Sequence, residues 1–102
     1  MWVEFDQAKD KANQAKHGVG LALARHLDWS MTLVKVDDRN DYAEVREIGY
    51  GPIADRLYCV VFTRRGDGLR IISLRKANDR EFDSYVSQIE TQASRPRRKP
   101  EH

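Results

Sequence analysis

The sequence has few of the features that mark several common classes of protein. It has one cysteine among 102 residues, which excludes an internal disulfide and a zinc site built from several cysteines. No apolar run approaches the ~20 residues of a membrane helix, and the charged first residues leave no apolar segment for a signal peptide. We therefore expect a cytoplasmic protein. We also expect no cofactor or metal, because His17, His26 and His102 are scattered and the acidic cluster at 37–41 lacks a calcium-loop spacing.

The composition is typical of a soluble, folded chain, with 40% hydrophobic and 33% charged residues. The net charge of +2 is unevenly placed, because the last eight residues carry four basic side chains and one acid. The remainder is close to neutral, so any affinity for nucleic acid must come from basic side chains gathered on one face. We predict a single domain over residues 1–91 and a basic, disordered tail over 92–102, where Pro96 and Pro100 forbid a helix.

Two helices are predicted before the first strand. Residues 6–16 have a helix-forming composition with a thin stripe of alanines, and Gly18 is the expected C-cap. Residues 20–29 place Leu23 and Leu27 on one side of a second helix. Neither helix would be stable alone, so both need a sheet to cover.

The residues after these helices change to a strand pattern. Short turns between successive strands indicate an antiparallel meander, with a break at Gly51-Pro52 and the most apolar strand in the centre. In the last helix, Asn78 is the expected cap, with Glu81 three positions later as in a capping box. We predict an α+β fold with two N-terminal helices, a four-stranded antiparallel sheet and a C-terminal helix, the helices covering one sheet face. The predicted strands are Met31–Val36, Glu44–Tyr50, Leu57–Arg64 and Leu69–Arg75, and the apolar stripe of the last helix is Phe82, Tyr85, Val86 and Ile89.

Strand alternation sorts the side chains between the two faces of this sheet. In the third strand, Val60, Phe62 and Arg64 are expected to alternate with Cys59, Val61 and Thr63. Ser73 and Arg75 are expected on the open face if Ile72 faces the helices. Glu44 and Arg46 are candidates for the same face, which would unite a carboxylate with guanidinium groups. RNA cleavage without a metal requires a base for the ribose 2′-hydroxyl and cations for the charge that develops on the phosphate oxygens. The candidate bases are Glu44 and His17, and the candidate phosphate ligands are Arg46, Arg64 and Arg75.

Each of these residues also has an ordinary structural interpretation. Glu44 and Arg46 would form a cross-strand ion pair worth less than ~1 kcal/mol on a solvated face. Arg64 lies beside a turn, where an arginine is commonly solvated, and His17 is in the position of a helix-capping residue. A non-catalytic module that only binds nucleic acid or protein is therefore the alternative function.

Several short motifs together resemble the BrnT family of toxins. The resemblance begins at Phe5-Asp6 and at Lys16-His17-Gly18-Val19. It continues through Glu44-x-Arg46 to the block Arg70–Ala77, and then to Glu81 and Tyr85. Each motif is short, but their order and spacing over nearly the whole predicted domain are specific.

The resemblance implies a RelE-like fold and a type II toxin that cleaves RNA and inhibits translation. It also implies a ribbon-helix-helix antitoxin similar to BrnA, through which the complex would bind operator DNA. By position, Lys16 and His17 match the family's Lys-His-Gly-Val turn. Glu44, Arg46 and Arg75 match its charged strand positions.

Overall fold

The computed structural model describes residues 1–39 and 43–94. The tail was predicted over residues 92–102. Its first three residues belong to the last helix, which ends at Ser94, and the rest lie outside the described part of the chain. No helix in the described part is long and apolar enough to cross a membrane. In chain order the elements are β1 Val3–Phe5, α1 Gln7–His17, 3-10 helices Leu21–His26 and Trp29–Met31, β2 Leu33–Val36, β3 Glu47–Ile53, β4 Arg56–Arg65, β5 Gly68–Lys76 and α2 Asp79–Ser94.

The strands form one mixed sheet in the order β1-β5-β4-β3-β2. β1 pairs with β5 in parallel, and every other neighbouring pair is antiparallel. β4 is the central strand, as its apolar composition predicted. The α+β class is thus correct, but the prediction of a four-stranded antiparallel sheet preceded by two helices is wrong, because the chain begins with a fifth strand.

β1 was not predicted because it is only three residues long and its partner lies far along the sequence. Val3 pairs with Leu69 and Phe5 with Ile71, and the Leu69 N–H donates to the Trp2 carbonyl at 2.9 Å. So short a strand has no recognisable period of its own. It is held by long-range pairing and by packing of its two apolar side chains against the core.

The second predicted α-helix is replaced by the 3-10 helix Leu21–His26. The residues that it and its C-cap bury are Leu21, Ala24 and Leu27, which are spaced three apart. This spacing matches the three residues per turn of a 3-10 helix, whereas an α-helix would rotate them apart. All three side chains enter the main hydrophobic core, which also contains Phe62 of β4.

β3 continues through Gly51 and Pro52, where a break was predicted. Pro52 pairs with Leu57 of β4, but the pairing of β3 with β2 stops at Tyr50. At Pro52, β3 therefore has no strand neighbour on the side of β2. A proline, which has no N–H, removes no hydrogen bond between strands on that side. The chain reverses two residues later, beginning at Ala54, which has a positive φ of 53°.

The sheet has two distinct faces, which we call the covered face and the open face. The covered face packs Val60 and Phe62 against the first 3-10 helix in the main core. The open face carries a smaller cluster that includes Cys59 and Val61. The alternation predicted for β4 is therefore confirmed, and the two clusters show which face of the sheet is free to bind a ligand.

A bulge in β5 changes the alternation beside this smaller cluster. Val61 pairs with Ser73 while Phe62 pairs with Ile71, so Ile72 is the extra residue. Ile72 packs against the open-face cluster. The assumption that Ile72 faces the helices is therefore wrong. Beyond the bulge, Arg75 is on the open face, as expected.

Candidate active site

α1 and the open face enclose a pocket of about 410 Å³. Its wall comes from one side of α1, from Lys9 to His17, and its floor from β3, β4 and β5. Within the described part of the chain, four cationic side chains and no carboxylate line it. The polar and charged residues of the lining are Lys9, Asn13, Lys16, His17, Arg39, Tyr50, Cys59, Ser73 and Arg75.

Asn13 fixes α1 against the edge of β5. Its amide nitrogen donates to the Leu74 carbonyl at 2.7 Å and to the Val19 carbonyl at 2.9 Å, and its oxygen accepts the Leu74 N–H at 3.1 Å. The pairing of β1 with β5 ends at Ile71. Beyond that point, the buried Asn13 side chain takes the place of β1 and bonds the backbone N–H and carbonyl of Leu74. This places the last turn of α1 beside the pocket.

His17 is the final residue of α1. The helix ends at Gly18, whose φ of 75° is left-handed and whose N–H donates to the Gln14 carbonyl, which confirms the predicted C-cap. Burial lowers the pKa of His17, and the positive charges of Lys16 and Arg75 lower it further. The imidazole is therefore mainly neutral at pH 7 and has a nitrogen that can accept a proton.

Arg75 is held by a carboxylate that comes from α2. Its two terminal nitrogens donate to Glu81 Oε1 and Oε2, each at 2.7 Å, and Nη1 also reaches the Lys76 carbonyl at 3.3 Å. A guanidinium has five N–H groups, so these bonds leave the Nε–H and one Nη2–H. Those two groups lie on the other edge of the guanidinium, which matches the geometry of a phosphate.

Glu81 is oriented by the start of α2. It accepts the Asn78 N–H at 2.9 Å, and the Asn78 side chain accepts the Glu81 N–H at 2.8 Å, which confirms the capping box. It also accepts the Tyr50 hydroxyl at 3.2 Å. The bonds from Arg75 are the main cause of the lowering of the Glu81 pKa from 4.5 to about 2, so this carboxylate remains ionised.

Sequence reasoning missed Tyr50 and Glu81 as site residues. Glu81 was predicted only as part of a helix cap, although the cap directly follows β5 and so places it close to Arg75. Tyr50 lies two residues after Ile48 in the same strand, so both side chains point to the same face of the sheet. Because Ile48 is in the open-face cluster, this alternation would have placed Tyr50 on the open face. Burial raises the pKa of Tyr50 and that of Cys59, so both groups stay protonated and neither is a base.

Glu44 lies away from this pocket. β3 begins at Glu47, three residues later than predicted, and Glu44 forms an exposed ion pair with Arg65 at 2.8 Å. Arg65 is six residues along β4 from Cys59, the residue that pairs with Arg75, a distance of roughly 20 Å along the strand. The expected platform that unites Glu44 with Arg75 is not formed.

The other two predicted arginines also lie outside the pocket lining. Arg64 pairs with Glu47 at 2.5 Å and its guanidinium lies 5.8 Å from the centre of the Phe62 ring, which places it on the side of the covered face. Arg46 precedes β3, and its carbonyl accepts the Asp37 N–H at 2.8 Å. Of the five candidate residues, the structure brings together His17 and Arg75.

The fold and the pocket define a class of protein: a small α+β domain with a cationic surface suited to an anionic ligand. Among residues 1–39 and 43–94, no three histidine, cysteine, aspartate or glutamate side chains are grouped as metal ligands would be. The sequence model of the family described as "Ribonuclease toxin, BrnT, of type II toxin-antitoxin system" matches residues 5–81. The chain therefore belongs to the BrnT family of ribonuclease toxins, as its motifs predicted, and an antitoxin is its expected partner. No curated protein matches it significantly.

Proposed function

We propose that this toxin is a metal-independent endoribonuclease whose active site is the open-face pocket. The observation that carries the proposal is the shared location of a neutral imidazole and a fixed guanidinium, His17 and Arg75, in a pocket lined by cations. No carboxylate is among the described lining residues, and Glu81, which contacts the lining, has both oxygens bound by Arg75. The site is therefore poorly suited to Mg²⁺, which depends on carboxylate ligands. It does offer a phosphodiester several positive charges.

In the proposed reaction, His17 takes the proton of the ribose 2′-hydroxyl as that oxygen attacks the adjacent phosphorus. The bond from phosphorus to the 5′-oxygen breaks, and the leaving oxygen takes up a proton from water. The products are a 2′,3′-cyclic phosphate and a 5′-hydroxyl end. Arg75 stabilises the charge on the non-bridging oxygens through its Nε edge, and Lys9 and Lys16 attract the flanking phosphates.

The cellular part of the proposal is supported by family membership. Cleavage of RNA in the cytoplasm would inhibit translation, and a ribbon-helix-helix antitoxin similar to BrnA would hold the toxin inactive. Operator DNA would be bound through that antitoxin. The same cationic pocket would also fit a module that binds RNA without cleaving it, and the experiment below separates these two functions.

The test is cleavage of a labelled RNA in the presence of EDTA. We expect the wild-type chain to produce 2′,3′-cyclic phosphate ends, and His17→Gln and Arg75→Ala to reduce the rate at least about a hundredfold. Arg64→Ala is the matched control, since it removes an arginine from the other side of the sheet. RNA binding without cleavage would support the non-catalytic module. Equal losses in Arg64→Ala and Arg75→Ala would refute the location of the site.

A further inference from the structure

α2 is attached to the domain along one side only. Near its start, Glu81 binds Arg75. One turn later the Tyr85 hydroxyl donates to the Met31 carbonyl at 2.6 Å. Neither hydrophobic cluster of the described chain contains a residue of α2. The printed contacts that hold the helix are polar, and its apolar side chains belong to neither core, although Tyr85, Val86 and Ile89 are half-buried.

These apolar side chains form a stripe on another side of the helix. Of the four residues of the predicted stripe, Tyr85 is bound to the Met31 carbonyl and is not counted here. Phe82, Val86 and Ile89 follow one another at the four- and three-residue spacing that places them on one line. At ~100° per residue, this line is about a quarter turn or more from Glu81. Phe82 is 50% exposed, and Val86 and Ile89 beside it are half-buried. Burying an aromatic side chain of this size is among the larger favourable terms in protein association.

The charge beside the stripe limits what can cover it. α2 carries four acidic residues and one arginine, whereas α1 carries three lysines and one aspartate. By helical position, Asp79 and Asp83 border the stripe on the side away from Glu81. The molecule thus has a basic helix at the pocket and an acidic helix with an apolar stripe elsewhere.

We infer that the stripe of α2 is the docking surface for a basic amphipathic helix of the antitoxin. The acidic border would repel RNA, and a second copy of this helix would bring two acidic faces together. The last eight residues of the chain are basic but contain no large apolar side chain, so they are unsuited to cover Phe82 and Ile89. An antitoxin helix with one apolar stripe and flanking lysines or arginines fits both features.

This inference rests on membership of a toxin–antitoxin family and not on the chemistry proposed for the pocket. The family match ends at Glu81, so it assigns no role to the stripe that follows. If the antitoxin docks outside the matched residues, the choice of antitoxin would depend on residues that the family match does not cover.

The experiment measures, by calorimetry, binding between the full chain and a ribbon-helix-helix antitoxin similar to BrnA. Phe82→Glu and Ile89→Glu should each raise Kd at least about thirtyfold, as expected for an anchor residue. Ser87→Glu is the matched control, because it adds the same charge to an exposed position on the opposite side of α2, and its Kd should change less than about threefold. Asp83→Asn should weaken binding and reduce its dependence on salt.

Three outcomes would overturn the inference. Equal affinity of the Phe82→Glu and Ser87→Glu chains would show that the antitoxin docks elsewhere. A dimeric wild-type chain that Phe82→Glu converts to a monomer, seen by light scattering, would assign the stripe to a second copy. Loss of RNA affinity in Phe82→Glu would assign it to RNA. Circular dichroism checks that the helix is retained, and RNA cleavage by the free variants tests the proposed function separately.

Discussion

Glu81→Gln is the substitution that tests most directly how the pocket is built. It keeps the shape of the side chain but removes the charge that holds both terminal nitrogens of Arg75. A glutamine has one acceptor oxygen, so it can satisfy only one of those nitrogens. That oxygen can still accept the Asn78 N–H, so the start of α2 should be retained.

The size of the effect on stability follows from the pKa of Glu81. Its fall from 4.5 to about 2 in the folded chain corresponds to ~3 kcal/mol of preferential stabilisation of the ionised form. The side chains of Arg75 and Glu81 are 33% and 18% exposed, so solvent screening reduces this value. We expect Glu81→Gln to lower the free energy of unfolding at pH 7 by about 1–2 kcal/mol.

The pH dependence of this loss has a definite sign. Because the pKa of Glu81 is lowered on folding, its contribution is complete above about pH 4.5 and declines as the pH falls towards 2. Urea unfolding of both proteins at pH 7, 5 and 3 should therefore show a difference that is constant between pH 7 and 5 and smaller at pH 3. A difference that is the same at all three values would refute the assignment of the stabilisation to this ion pair.

The same substitution should affect cleavage through the position of Arg75. We expect kcat to fall about tenfold or more with a smaller change in KM, because the guanidinium would be misplaced when charge develops on the phosphate. The double variant Glu81→Gln, Arg75→Ala should cleave no more slowly than Arg75→Ala alone. Asp83→Asn, which removes an exposed carboxylate two residues after Glu81, is the control and should leave both constants unchanged. Independent, additive losses from Glu81 and Arg75 would contradict a positioning role.

Three further predictions concern the base and the packing around the pocket. Because the pKa of His17 is lowered below 6.5, kcat/KM should rise with pH with a midpoint below 6.5 and lose this dependence in His17→Gln. Asn13→Ala should lower the free energy of unfolding by about 2–3 kcal/mol in urea, since it leaves both backbone groups of Leu74 without their buried partner. Gly51→Ala should lower the melting temperature by several degrees, because its new methyl group would overlap the hydroxyl of Thr32.

Sequence patterns predicted the local elements well where each could be recognised within a few residues. The Asn78–Glu81 capping box and the Gly18 C-cap depend on residues at most a few positions apart, and both were confirmed. The alternation of β4 was also correct, because both of its faces are buried in distinct clusters. Such local rules therefore gave the α+β class.

The features that sequence patterns missed depend on distant residues. β1 is a strand only because β5 lies beside it, and the bulge at Ile72 exists only in the register between β4 and β5. Part of the candidate set lies away from the pocket for a related reason. Glu44 was assigned to a strand that begins three residues later, and a strand prediction cannot show that an arginine at its end binds a glutamate on a following helix.

The ion pair of Arg75 with Glu81 also connects the two halves of the proposed chemistry. The positive charge of Arg75 contributes to the lowered pKa of His17, and Glu81 compensates part of that charge at 2.7 Å. Removing the carboxylate should therefore lower the pKa of His17 further, in addition to misplacing the guanidinium. The pH profile of kcat/KM for Glu81→Gln should move to lower pH than that of the wild type, with a lower plateau. A lower plateau with an unmoved profile would mean that Glu81 positions Arg75 without tuning the base.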